Sequence, residues 1–383
     1  MLRYPRPRAA SPLKVVAPLR GVPSRNVSLM PWFLGRRARQ AFEKMDGPER
    51  TLFWKRRGKI ALLLVGGAGV AIGSVYWTHR EPAPVTNRTR SLLLSLEDEV
   101  EIGRNLAQSI LVQAEGQVLP TTHPTFQRVD RVLKRLVAGL NNAPVDKDVA
   151  KALSFNLHVI DSPTVVNALV LPDGTTFVYT GLLEKECSGS DGDDRLAVVV
   201  GHEMAHALQR HGGERLSYFG VLSLLLSGAT FVGTFLGLDP GVAVWRTACV
   251  LGLEERAFDV VLTLPRSRSL ENEADHVGLF ITAAACFNPR VGPKLWEKWA
   301  CRMAAAPPMG KLIEDGMCDP EPTNVTAVPL QIPEYLSTHP AGKRHAKNLT
   351  AFLQEAERIA ELSGCSEQRL ALQEATQDIA ITK

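Results

Sequence analysis

The stretch that most constrains this chain is His202-Glu203-Met204-Ala205-His206, which closes the apolar run Leu196-Ala197-Val198-Val199-Val200-Gly201. Two histidines four residues apart lie on one face of an α-helix, so both rings can meet one metal ion. Glu203 follows the first histidine by one position. That offset sets its carboxylate beside the metal, where a general base for water belongs. A buried helix has no other use for two imidazoles and a carboxylate, which are costly there when unpaired. The spacing therefore predicts a Zn²⁺ site with His202 and His206 as ligands and Glu203 as the catalytic base.

Catalytic zinc takes three protein ligands and keeps one position open. A third histidine in the HExxHxxGxxH pattern is excluded, because Gln209 and Gly212 occupy the diagnostic positions. His211 lies nine residues past His202, about 180° round a continuing helix, and is expected to face away. The third ligand is sought downstream, in Ser269-Leu270-Glu271-Asn272-Glu273-Ala274-Asp275-His276. Glu271 and Asp275 share a helix face. Glu273 and His276 stand about 200° and about 140° from Glu271 and leave that face. Glu271 is the expected ligand. Asp275, one turn on, suits a carboxylate that holds a ligand histidine by its other ring nitrogen.

With HExxH and ExxxD in place, the chain resembles the zinc metalloendopeptidases of the CAAX prenyl protease and HtpX type. Within that group it is similar to the mitochondrial inner-membrane metalloendopeptidase whose activity overlaps the matrix-facing AAA protease. Asn167-Ala168-Leu169-Val170-Leu171-Pro172-Asp173-Gly174 and Phe177-Val178-Tyr179-Thr180-Gly181-Leu182-Leu183 resemble the family's strand pair, and Ser337-Thr338-His339-Pro340 its late THP motif. The likeness covers roughly residues 90 to 355. It implies an α+β fold: a mostly helical, zincin-like metallopeptidase domain with a small antiparallel sheet. It also implies that His339 acts near the active site, stabilising an oxyanion. The family's arginine stands six residues after that histidine. Here Arg344 stands five after it, as the expected substrate-binding residue, and His345 occupies the sixth position.

The charge is unevenly placed. Residues 1 to 59 hold 15 Lys or Arg against 3 acidic residues, whereas the whole chain is only +4. The body is therefore mildly acidic, which excludes nucleic acid as a partner class. The leader is Arg-rich and Ser-containing, with no acidic residue before Glu43, and reads as a mitochondrial transit peptide and basic matrix segment. Residues 60 to 77 are eighteen uncharged residues, Ile60 to Trp77. That is just enough for a transmembrane helix, and Tyr76 and Trp77 suit an interface. Lys55, Arg56, Arg57 and Lys59 hold the N-terminal side in the matrix, which sends the body to the intermembrane space. Gly66-Gly67-Ala68-Gly69 offers a small-residue face to a second helix, so a homo-oligomer is expected alongside inner-membrane lipid as partners.

Residues 78 to 90, with Pro82 and Pro84, read as a linker, 91 to 355 as the peptidase domain and 356 to 383 as a helical tail. Helices are expected over Glu97–Ala114 and Thr125–Leu140, and a strand at Phe155, Leu157 and Val159. Pro172-Asp173-Gly174 turns a hairpin between residues 169–171 and 175–179. Its second strand, with Thr176, Phe177 and Val178, is expected to be an edge that pairs with an extended substrate peptide. Asp191-Gly192-Asp193-Asp194 should cap the zinc helix. Leu216 to Leu238 is long and apolar, and is expected to be re-entrant, membrane-leaning or core rather than a full span. The six cysteines form no CxxC pair, so a zinc ribbon has no support, and spacing alone does not pair them.

The reading is a membrane-anchored zinc metalloendopeptidase acting on protein or peptide substrates in inner-membrane quality control. Its rival is a catalytically silent, metal-bound scaffold or assembly factor. An intact Glu203 speaks against the rival, since scaffolding needs ligands but no base.

Overall fold

The computed structural model describes residues 46–235, 268–305 and 342–365. The Arg-rich leader up to residue 45, the THP motif and the loop around it lie outside the described residues, as does Gly241–Leu253. Two units divide the chain. Among the described residues, one takes 46–71 and 222–235, the other 72–221, 268–305 and 342–365.

Helix α1, Gly47–Thr78, opens the described chain. Its segment Gly58–Thr78 is the one helix among the described residues long and apolar enough to cross a membrane, and the described side chains within it are largely exposed. The next residues, read above as a linker, instead fold into a short antiparallel hairpin. Strand β1, Arg80–Pro82, pairs with β2, Thr89–Ser91. Val85 and Asn87 take up positive φ at its turn. The hairpin is tied back to the helix end, where Leu92 N–H donates to His79 O at 3.2 Å.

The described part of the second unit is mostly helical. Helix α2, Leu96–Gln113, starts at Ser95, whose hydroxyl accepts from Asp98 N–H. Helix α3, Pro124–Gly139, buries Val129, Val132, Leu133 and Leu136 at the 3.6-residue period. Both match the helices expected from the pattern within a residue or two. A short α4, Lys147–Ala152, leads into β3, Leu157–Ile160. The hairpin of β4, Ala168–Val170, and β5, Thr176–Tyr179, turns at Gly174, whose φ of +90° only glycine adopts readily.

The sheet corrects two expectations. It is mixed, not antiparallel: its order is β3-β5-β4, with β3 parallel and β4 antiparallel to β5. Thr176, Phe177 and Val178 therefore sit on the central strand. Their backbone groups are committed on both sides, and their side chains are buried. They cannot add a substrate strand. The edge on the side of the next long helix is β4.

After α5, Thr180–Lys185, come α6, Gly192–Leu208, and α7, His211–Phe235. Asp191 is the N-cap of α6 but makes no side-chain capping bond. The acidic cluster binds elsewhere. Asp193 pairs with Arg128 at 2.7 Å, and Asp194 accepts from Asn288 N–H at 2.8 Å. Helices α8, Arg268–Ala284, α9, Val291–Ala305, and α10, Gly342–Leu362, complete the unit. Helix α8 packs between α6 and α10. The expected boundary at residue 355 falls inside α10, and Cys365 beyond it is bonded to Cys286 at the end of α8. The chain to Cys365 thus belongs to the folded unit.

That disulfide closes a 79-residue separation. Restricting the unfolded chain over such a loop stabilises by about 2–4 kcal/mol. Replacing Cys286 and Cys365 by Ser should lower the unfolding free energy by about that amount in denaturant titrations. An unchanged midpoint would remove the bridge from the stability account.

Candidate active site

Helix α6 is buried along its whole second half, from Leu196 to Leu208. Its polar residues His202, Glu203 and His206 thus lie in the interior, 1–4% exposed. A second helix reaches them because two glycines let backbones touch. A Cβ at Gly278 of α8 would stand 2.7 Å from His202 Cα, and one at Gly201 would stand 2.8 Å from Thr282 Oγ1. At this crossing, the face of α8 carrying Glu271 and Asp275 comes down on the two histidines.

Three donors converge there. His202 Nε2 and His206 Nε2 are 3.2 Å apart. Glu271 approaches the first at 3.4 Å through Oε2 and the second at 3.6 Å through Oε1. One ligand atom from each residue lies within 4.8 Å of the others, and all three residues are buried. Two imidazole nitrogens and one carboxylate facing a common point form a donor set for a divalent metal that prefers nitrogen and oxygen.

The far sides of both rings are also held. His202 Nδ1 meets Asp275 Oδ1 at 3.1 Å. His206 Nδ1 meets His211 Nδ1 at 2.6 Å, and His211 Nε2 meets Glu273 Oε2 at 3.0 Å. These contacts leave the Nε2 atoms of His202 and His206 for a cation. Burial works to lower the His202 pKa, but Asp275 and Glu271 outweigh it and hold the ring up at about 10. This corner of the protein therefore stabilises positive charge. Burial would raise Asp275, yet His345 and His202 hold it lower. Burial pushes His211 down, which favours its neutral ring.

His211 is a residue the sequence argument turned away. It is not in the donor cluster, as expected, but it does not face away. Helix α6 ends at Leu208, and Arg210 adopts φ +53°, so the chain turns a corner before α7 begins at His211. The angular argument assumed a continuing helix. The glycines at 212 and 213 were the available signal of a break.

The late motif needs a correction as well. Arg344 is exposed, while His345 is buried in the site. His345 Nδ1 hydrogen-bonds Asp275 at 2.7 and 2.8 Å, and its Nε2 stands 3.7 Å from Glu271 Oε2. Trp296 stacks on the His345 ring at 4.4 Å, with 17° between planes. Asn348, one turn on, donates to Asp275 at 3.3 Å. The sixth position after the THP histidine is thus the one that reaches the site, and here it carries imidazole rather than guanidinium. His339 lies outside the described residues.

The matching family model is peptidase family M48, over residues 123–352, which holds both motifs and the start of α10. The chain belongs to peptidase family M48. Its relatives include the mitochondrial metalloendopeptidase OMA1 of Saccharomyces cerevisiae, 32% identical, with 82% of this chain aligned to 79% of that one. The Schizosaccharomyces pombe protein of the same name is also 32% identical, over 78% of this chain and 74% of its own. The human metalloendopeptidase OMA1, mitochondrial, is 28% identical, over 81% of this chain and 53% of its own. This M48 chain is accordingly a mitochondrial metallopeptidase, and the silent-scaffold alternative is not favoured.

The crossing of α6 and α8 generates a prediction for this M48 site. Gly278→Ala puts a methyl group against the His202 backbone, where no side chain can move aside. Helices forced apart in this way typically cost about 1–3 kcal/mol. The variant should melt lower and hold metal less tightly than wild type. Wild-type metal content and melting temperature together would show that the crossing is looser than described.

Proposed function

We propose that His202, His206 and Glu271 hold a zinc ion and that Glu203 is the general base of a membrane-anchored endopeptidase. The carrying observation is the convergence of two imidazole nitrogens and one carboxylate, from two helices, beside a buried Glu203. The donor set fits zinc: nitrogen and oxygen atoms, three protein ligands, and ring tautomers fixed from behind. A zinc ion supplies Lewis acidity, polarising a peptide carbonyl and lowering the pKa of a water to about 7. Glu203 takes the proton of the attacking water on a carboxylate oxygen and passes it to the leaving amine. Asp275 fixes the His202 ring, and His345 and Asn348 fix Asp275. His339 is proposed to steady the oxyanion. The side of β4 that carries no partner strand among the described residues is proposed to pair with the substrate backbone. Two histidines on one buried helix with a carboxylate from the next support the reading of the fold as zincin-like.

In this reading, residues 1 to 59 include the mitochondrial leader and a basic matrix segment. The apolar part of α1 crosses the inner membrane, and the peptidase faces the intermembrane space. The excess of positive charge before the helix supports that orientation. So does the Cys286–Cys365 disulfide, which belongs to an oxidising side. The substrates are proteins at or in the inner membrane, cut in its quality control, with a homo-oligomer as the working form.

Two experiments test this. Glu203→Gln should keep zinc and fold but lose nearly all peptidase activity, whereas Glu271→Ala should lose zinc sharply. Activity of Glu203→Gln within a few-fold of wild type, or full zinc in Glu271→Ala, removes the corresponding role. For orientation, protease added to mitochondria with ruptured outer membranes should digest the peptidase unit. Its survival until detergent is added, while an intermembrane-space control is degraded, reverses the topology.

A further inference from the structure

The hairpin between α1 and α2 is not a passive spacer. Its side chains reach the corner between α6 and α7, directly behind His206. Glu273, on the face of α8 that leaves the donor cluster, accepts from the Thr86 hydroxyl, from Arg88 Nε at 2.8 Å and from His211 Nε2 at 3.0 Å. Arg88 also binds both oxygens of Glu214 on α7, at 2.8 and 2.6 Å. Arg90, two residues on and buried, donates to the carbonyl of Gln209, the C-cap of α6. Three hairpin side chains therefore converge on one helix corner.

The donors along this chain are compatible with one direction. With Nε2 of His206 given to a cation, its Nδ1–H donates to His211 Nδ1. His211 then carries its proton on Nε2 and donates it to Glu273. Glu273, with acceptors only, is satisfied by His211, Thr86 and Arg88. His202 has Asp275 directly behind it, and His206 reaches Glu273 through His211.

We propose that Arg88 and Thr86, on the hairpin leaving the apolar helix, are positioning residues for His206, acting through Glu273 and His211. The hairpin is bound to the last turn of α1 as well, since Ser91 Oγ donates to Tyr76 O at 3.3 Å. The end of the anchor and the second histidine of the donor cluster are thus joined by one path of hydrogen bonds and hairpin backbone. A shift of the hairpin withdraws Arg88 from Glu273, frees His211 and loosens the ring of His206. The proposal rests on the reading of His206 as a metal ligand.

The test uses the full chain in detergent, with zinc affinity measured by chelator competition and the visible spectrum of the cobalt-substituted protein. Arg88→Met keeps most of the volume and removes the charge. It should weaken zinc affinity about tenfold, the lower end for a partner behind a metal ligand, and shift the cobalt bands. Arg88→Lys, which can still meet Glu273, should recover most of both. Glu214→Gln, which breaks only the pairing to α7, should leave both near wild type. Unchanged affinity and spectrum in a folded Arg88→Met overturns the proposal, as does an equal loss in Glu214→Gln. Should Arg88→Met not fold, Thr86→Val carries the test. It removes one donor to Glu273, and an unaltered cobalt spectrum in it counts against the proposal. Glu271→Ala separates the two ideas. If it keeps full zinc, the reading of the donor cluster fails. If it loses zinc while Arg88→Met keeps it, only the hairpin's role fails.

Discussion

Backbone contact between α6 and α8 is the constraint on which the rest depends. Gly201 and Gly278 lie where any side chain would meet backbone or the Thr282 hydroxyl. Without that approach, Glu271 would stand too far from the histidines to share a point with them. The approach also explains the order of the chain around it. Large buried side chains flank the site: Trp296 lies 5.6 Å from the His202 ring and Trp299 packs on Trp296 at 4.9 Å. They stiffen the walls, so the polar cluster is held by packing as well as by its own bonds.

Such a cluster is expensive to bury. Two histidines, two glutamates and an aspartate within a few residues of one another would be prohibitive if unpaired. The structure offsets this by arranging carboxylates around imidazoles. Asp275 lies between His202 and His345, and Glu273 lies between His211 and Arg88. The two carboxylates sit on opposite sides of α8, one behind each histidine of α6. The helix thus has two jobs, contributing Glu271 to the cluster on one face and a support to each ring from the flanking positions.

What the sequence made legible was local and periodic. His202, His206, Glu271 and Asp275 follow from helical spacing, and that spacing survives folding because α6 and α8 are regular through the motifs. Helices α2 and α3 were readable for the same reason. Non-local pairing was not. The order β3-β5-β4 joins strands that are not consecutive, and no pattern within β5 announces two neighbours rather than one. The hairpin at residues 80–91 was hidden by its prolines and by strands of only three residues. His345 was obscured by the arginine next to it. An angular estimate could have separated the pair, since adjacent helical positions point about 100° apart. His211 was lost because a straight helix was extended past Gln209.

The corner that spoiled that estimate is where the separate parts meet. A residue other than glycine at positive φ, as Arg210 is, carries a cost of about 1–2 kcal/mol, so it persists only when its surroundings fix it. They do so from several directions. The Arg210 guanidinium binds Glu99 of α2 and the Leu94 carbonyl, while Arg90 of the hairpin takes the Gln209 carbonyl beside it. Gly213 lies so close to Glu99 that a Cβ there would overlap the carboxylate. The turn is therefore specified by α2 and by the hairpin, elements far from the HExxH motif in sequence. If α6 had run on straight, His211 would have pointed away, and His206 would have lost its link to Glu273. The support behind one of the two motif histidines is thus supplied by chain that precedes it by more than a hundred residues, immediately after the apolar helix.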